Sequence, residues 1–174
     1  MNIYGEKVIL RALSPKDSTL LLELINDPET ENMLGGCSFP VSFEGQIKWI
    51  EEQVSRADVL RCIIAPKENQ ENGVGTVILS DIDYRNGTAQ VHIKLAKNNR
   101  GKGYGKDALK AVVSYAFHHM RIHCVYASVL ESNERSQRLF TSCGFQKEGL
   151  LRARVHKLGS FKNFISYSIL NEND

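Results

Sequence analysis

The sequence predicts a mixed α+β domain built on one central sheet, and three observations predict it. Short β-branched runs follow one another at 59–65, 74–82 and 88–96, an apolar stripe at helical spacing comes next, and strand and helix patterns then alternate to the end. A chain of 174 residues with 42% apolar content has room for one core and few spare segments. A single domain over 1–170 with a loose C-terminal tail at 171–174 is expected.

Residues 7–13 read as a first strand. Ser14, Pro15, Lys16 and Asp17 then supply an N-cap, a proline at the first helical position and an early acid, so a helix through Leu20, Leu21, Leu24 and Ile25 follows. Ser42 caps a second helix in which Ile47, Ile50 and Val54 recur at helical spacing beside Trp49. These two helices are expected to wall one side of a cleft.

The β-branched runs form an antiparallel meander, separated by turn clusters at 69–73 and at Arg85, Asn86 and Gly87. Asn86 and Gly87 both tolerate the positive φ of a tight primed turn, so a hairpin of well-fixed register is expected there. Ala108, Leu109, Val112, Val113, Ala116 and Phe117 mark one face of a helix, closed by His118, His119 and Arg121 near its negative end. Residues 124–130 form a short apolar strand, and Ser132 and Asn133 cap a helix that stops at Gly144. Segments 155–158 and 164–170 make a last hairpin around Gly159 and Ser160.

The formal charge is +2 with the two signs interspersed, which provides no footprint for nucleic acid or an anionic membrane. A small-molecule or peptide partner is expected instead. Cys37, Cys62, Cys124 and Cys143 are widely spaced and form no C-x-x-C pair, the usage of reduced thiols. No apolar leader opens the chain, and no apolar stretch approaches the roughly 20 residues of a membrane span, so a soluble cytoplasmic protein is expected. His118, His119 and His123 offer no tetrahedral spacing, and no metal is expected.

The sharpest local feature is Arg100-Gly101-Lys102-Gly103-Tyr104-Gly105-Lys106, set between a strand and an amphipathic helix. Glycines let backbone N–H groups turn toward an anion, and the helix start adds partial positive charge, so a diphosphate fits. The bland alternative is a loop that needs glycine only to begin a helix. Two other phosphate loops fail on spacing. A Walker loop requires Ser or Thr after its lysine, where Asp107 stands, and a dinucleotide fingerprint requires a third small residue at 106 and an acid near 124–127.

Arg100 to Gly105 resembles the signature of the GNAT N-acetyltransferases, an Arg or Gln followed by x-x-Gly-x-Gly/Ala. Asn133-Glu134-Arg135-Ser136, Leu139-Phe140 and Cys143-Gly144-Phe145 are similar to that family's second block. Gly149-Leu150-Leu151-Arg152, Gly159 and Tyr167-Ser168-Ile169-Leu170 resemble the branch with ribosomal-protein alanine and spermidine acetyltransferases, and the opening Val8-Ile9-Leu10-Arg11-Ala12-Leu13 fits too. The resemblance covers nearly the whole chain. It implies a mostly antiparallel sheet with a splayed strand pair flanked by helices, acetyl-CoA as donor, a primary amine as acceptor, and homodimerisation as a possible assembly.

Residue by residue, the resemblance implies that Ile93, Lys94 and Leu95 pair with the pantetheine arm through their backbone, as an added strand does. Arg100, Gly101, Lys102, Gly103, Tyr104 and Gly105, with the Lys106 amide, would hold the pyrophosphate. Asn133 would bond the pantetheine, with Ser136 and Arg138 near it, and an N–H near Ile93 would stabilise the oxyanion.

An amine of pKa about 10.4 must lose a proton before attack, and a departing thiolate of pKa about 8.5 gains from an acid. The family's tyrosine acid falls on Phe140, which cannot donate. Cys143, Ser136, Tyr104 and Tyr126 are substitutes, although a cysteine placed like Cys143 is more often a small buried apolar group. His92 has a suitable pKa, about 6.5, for the base. It sits with Gln90 and Lys94 on the polar face of its strand, facing either the acceptor or plain solvent. The family's frequent glutamate falls on Gln90, and His156 is a lesser candidate for the base. Asp81 and Asp83 either receive a cationic amine or simply make a turn. The sequence leaves two functional classes open, an N-acetyltransferase and a catalytically silent acyl-CoA-binding or sensing module.

Overall fold

Successive side chains of a strand point to opposite faces, so an apolar run such as 60–66 supplies core residues to both sides of a sheet. The computed structural model describes residues 1–36, 39–54, 56 and 58–172. The thiol expected at Cys37 and the end of the tail at Asn173 and Asp174 lie outside these described residues. Strands β1 (Ile3–Tyr4), β2 (Val8–Arg11), β3 (Leu60–Pro66), β4 (Gly75–Asp83) and β5 (Thr88–Leu95) pair antiparallel in sequence order. Strand β6 (Cys124–Leu130) joins β5 in parallel, and β8 (Ser160–Leu170) lies antiparallel between β6 and β7 (Gln146–Lys157). Among the described residues this makes one 8-stranded sheet in the order β1-β2-β3-β4-β5-β6-β8-β7.

Parallel neighbours need a long crossover, which α4 (Tyr104–Met120) supplies. Its Ala108, Leu109, Val112 and Ala116 are buried against Leu10, Ile64, Val77, Leu79, Val91 and Val125. Phe140 and Phe145 join the same core, at either end of the link from α5 (Glu134–Ser142) to β7. On the opposite sheet face, α1 (Ser18–Asn26) and α3 (Phe43–Val54) pack Leu21 and Ile50 against Ile63.

The predicted elements are present, with corrections. A 3-10 turn, Pro15–Asp17, precedes α1 because the Asp17 carboxylate is drawn back to Arg11 at 2.7 Å and to the Ser14 N–H at 2.9 Å. Beside that carboxylate the Arg11 guanidinium is raised above its ordinary pKa. The turn before β5 is not a tight primed turn. Four residues, 84–87, make it, only Gly87 has positive φ (64°), and the Asp83 carboxylate holds the Arg85 and Asn86 N–H groups. The register also shifts between Ser80 and Asp83. The last hairpin is longer than expected, because β7 begins at Gln146 and absorbs two register shifts. A short helix, α2 (Pro28–Asn32), follows α1. Asp27 caps it through the Thr30 N–H at 3.0 Å, and these Thr30 bonds hold Asp27 below the usual carboxylate pKa. The described cysteines Cys62, Cys124 and Cys143 are free, and burial pushes the Cys62 thiol up to about 11.

Candidate active site

Strands β5 and β6 share only three rungs, Thr88 with Cys124, Ala89 with Val125 and Gln90 with Tyr126, and then diverge. Beyond that point β5 stays paired to β4 and β6 to β8, so the inner edges of the two strands face a gap. The gap opens into a cavity of ≈ 520 Å³, lined on the strand side by Ile93, Lys94 and Leu95. Its floor is the glycine loop, through Arg100, Gly101, Gly103, Gly105 and Lys106, and its far wall is α5, through Asn133, Ser136, Arg138 and Leu139.

Gly101 and Gly103 carry φ of 79° and 85°, the left-handed region that favours glycine, and Gly103 is the N-cap of α4. Among the described residues, the N–H groups of 101–106 have no backbone carbonyl partner, while the Asp107 N–H returns to Gly103. Free N–H groups gathered at a helix start are the donors an anion needs. Eleven of the residues expected from the sequence to hold a donor therefore line one cavity. Lys102 and Tyr104 do not. The Lys102 ammonium reaches Asn99 at 3.3 Å, and the Tyr104 hydroxyl turns outward to Glu68 at 3.2 Å.

The fourth wall was not legible as such. Glu29, Thr30, Met33 and Leu34, on α2 and the residues after it, complete the cavity, replacing α1 and α3 as the expected wall. Helix α2 is held by the groups that line the cavity. Lys94 pairs with Glu31 at 3.1 Å, Arg100 meets Thr30 at 2.8 Å and Glu29 at 3.3 Å, and Asn133 Nδ2 donates to the Met33 carbonyl at 3.0 Å. Asn133 Oδ1 accepts the Ser136 N–H at 3.1 Å, so both ends of that amide are engaged. The exposed Glu29 carboxylate, also bonded to Lys97 at 2.5 Å, is held below its ordinary pKa.

Two further residues escaped the sequence. The Asp107 carboxylate, in the first turn of α4, accepts the N–H groups of Glu6, Lys7 and Val8 at 2.8, 2.7 and 2.9 Å. This brings Lys7 beside the loop, with its Nζ 3.2 Å from where a Cβ on Gly103 would stand. The partners are separated by about a hundred positions, and nothing local in the sequence signals the link.

On the open face of the sheet, His92 Nε2 lies 2.9 Å from Ser80 Oγ. Crowding by its neighbours, helped by Lys94 and Arg61, lowers the imidazole pKa despite the opposing pull of Asp81. Asp81 has φ 48° at the β4 irregularity, and burial, with the charge of Asp81 behind it, raises the Tyr126 hydroxyl pKa. Gln90 meets Ser128 across the gap at 3.5 Å. Asp83 takes the turn role, its pKa lowered by the Asn86 and Arg85 bonds. Cys143 lies outside the cavity lining, with Sγ 3.7 Å from the Lys106 carbonyl and burial raising its pKa. Phe140 is 3% exposed and packs edge-on to Phe145 and stacked with Tyr167. His156 sits against Phe161 on the last hairpin. Among the described residues there is no group of three or more His, Cys, Asp or Glu side chains suited to a metal ion.

A strand edge freed beside a glycine-rich helix start suits an extended ligand that carries phosphate. Residues 7–146 match the family model described as an acetyltransferase (GNAT) domain. The SPbeta prophage-derived uncharacterized N-acetyltransferase YokL of Bacillus subtilis is 31% identical over 168 residues, covering 97% of this chain and 92% of its own. The chain belongs to the GNAT acetyltransferases. Its fold is also that of the spermidine N-acetyltransferase of Vibrio cholerae in complex with CoA and spermine (TM-score 0.86, 23% identity, 95% and 96% of the two chains). The same holds for RimL, a ribosomal alpha-N-protein acetyltransferase in complex with coenzyme A (TM-score 0.88, 18% identity, 100% of both).

Proposed function

We propose that the chain moves the acetyl group of acetyl-CoA directly to a primary amine, both bound at once. The observation that carries this reading is the gap that opens after three β5–β6 rungs and ends at the free N–H groups of the glycine loop. The pantetheine arm would pair with the backbone of Ile93, Lys94 and Leu95, and Asn133, Ser136 and Arg138 would flank it. The pyrophosphate would lie on residues 101–106, with Arg100, Lys102, Lys106 and Lys7 adding charge.

His92 is the base. Its lowered pKa leaves it neutral at physiological pH, free to accept the proton of the attacking amine. Asp81 receives the cationic amine beside it. As the C–N bond forms, an N–H near Ile93 bonds the oxyanion. The tetrahedral adduct then loses its second amine proton to solvent and expels the CoA thiolate, which takes a proton from solvent. The Cys143 thiol stays protonated and would be a donor only if the Lys106 carbonyl released it.

The acceptor is a protein N-terminus, a polyamine, an aminosugar or another small amine. Among the similar structures one carries spermine and another acts on a ribosomal protein. The free thiols support a cytoplasmic, reducing setting. Melting curves with acetyl-CoA, ATP and NADH test the donor. Acetyl-CoA should raise the midpoint, and stabilisation by ATP or NADH with none by CoA species would overturn the reading.

A second reading, an acyl-CoA-binding module without turnover, is favoured by the buried Phe140 at the family's acid position. Coenzyme A release measured across amines, aminosugars, polyamines and Ala- or Ser-led peptides separates the two. Tight binding with no release on any acceptor would select the silent module.

A further inference from the structure

Between 149 and 171 the sequence holds four cations, Arg152, Arg154, Lys157 and Lys162, and no Asp or Glu. All four lie on the β7–β8 hairpin. The last β6–β8 rung joins Leu130 to Phe164, so residues 151–163 project beyond β6 at the end where β5 and β6 part. The hairpin therefore stands at the mouth of the gap. Arg152, Arg154 and Lys162 are exposed, and no carboxylate among the described residues pairs with them. This contrasts with Lys94, Lys97 and Arg100, each of which pairs with a carboxylate on α2.

The arrangement is built. Arg152 and Arg154 flank Ala153, whose φ is 50° at a register shift, and Asn163 Oδ1 fixes that shift by accepting the Ala153 N–H at 2.9 Å. A bulge of this kind turns side chains out of the pleat. Lys157 Nζ donates to the carbonyls of Glu31 and Gly36, which roots the hairpin in the segment that closes the cavity. The Glu131 carboxylate beside the hairpin is tied to Asn163 Nδ2 at 2.8 Å. At the tip, Leu158 and Phe161 are 80% and 70% exposed.

We infer that this hairpin docks an acidic, partly apolar stretch of a peptide or protein whose N-terminal amine is the acceptor. The inference rests on the acetyl-transfer reading and narrows its acceptor. A polyamine meets repulsion here, whereas an acidic chain is drawn in while its amine is delivered to the gap. A nucleic acid suits the patch less well, because the whole chain carries only +2 and the mouth it guards receives an amine.

The test uses two Ser-led peptides, acidic after the serine in one and lysine-rich in the other, each with a fluorophore at its C-terminus. Anisotropy of the full chain should show the acidic peptide bound roughly tenfold tighter, with the difference shrinking as salt rises. Combined Arg152→Glu, Arg154→Glu and Lys162→Glu should abolish the preference while acetyl-CoA affinity is kept. Should that variant fail to fold, Arg152→Gln with Arg154→Gln should lower the preference several-fold. Equal binding, a preference that survives these changes, faster coenzyme A release with spermidine, or displacement of the peptide by an equimolar oligonucleotide would each overturn the inference. Loss of acetyl-CoA binding by the unaltered chain would overturn the transfer reading instead, and the anisotropy comparison still decides the hairpin.

Discussion

His92 combines a solvent-facing strand position, a 2.9 Å contact with Ser80 and a pKa held below its usual value. As a base it must be neutral, so activity should rise with pH through its folded pKa and level off below about 6.5. His92→Gln should lower kcat by roughly 10²-fold and remove that acid limb, as a pH–rate profile would show. The same shift has a stability sign. Unfolded histidine binds its proton at higher pH, so stability is lost as pH falls below about 6.5, and the Gln variant should lose less in acid melts. The polar face of β5 was legible from alternation alone, and Ser80 was not, because a cross-strand partner depends on register. Phe140 shows the opposite case. Its alignment with an acid position was visible in the sequence, and the aromatic cluster around it explains the apolar choice there.

Asp107 links scales, since one carboxylate joins the N-terminal strands to the first turn of α4. Asp107→Ala leaves three N–H groups to water and should cost about 2 kcal/mol in denaturant titrations, with weaker acetyl-CoA binding because the loop loses its brace. Gly103→Val should cost about 1–2 kcal/mol from its 85° φ alone. It also crowds Lys7, so acetyl-CoA affinity should fall further than kcat, which isothermal titration and steady-state rates would separate. Strands β5 and β6 and helix α4 could be read to within a residue or two, because each carries its own periodicity and caps. Helix α2 could not be read as a wall. Its partners Lys94, Arg100 and Lys157 lie 63, 70 and 126 positions away, and its short acidic sequence has no apolar stripe to announce a buried face.

For the molecule as a whole, acetyl-CoA at a hundredfold excess over its Kd should add about 2.7 kcal/mol to stability. The melting midpoint should then rise by about 5–10 °C, measured by calorimetry. The class of fold followed from element order, and the donor half of the site from a contiguous loop and the strand before it. The acceptor half proposed here would draw on β4, β5, β6 and the β7–β8 hairpin at once, and no short stretch of sequence holds that combination.

Three rungs are a thin seam between two half-sheets, one running from β1 to β5 and the other from β6 to β7. An occupant of the gap works as mortar, adding main-chain bonds where the fold itself stops making them. Amide hydrogen exchange should therefore slow along the inner margins of 92–95 and 127–130 when acetyl-CoA is added. Exchange elsewhere in β5 and β6, already locked to β4 and β8, should barely change. The opening proposed to admit the donor is thus also a thin join inside the sheet, and filling it would turn two leaves into one slab.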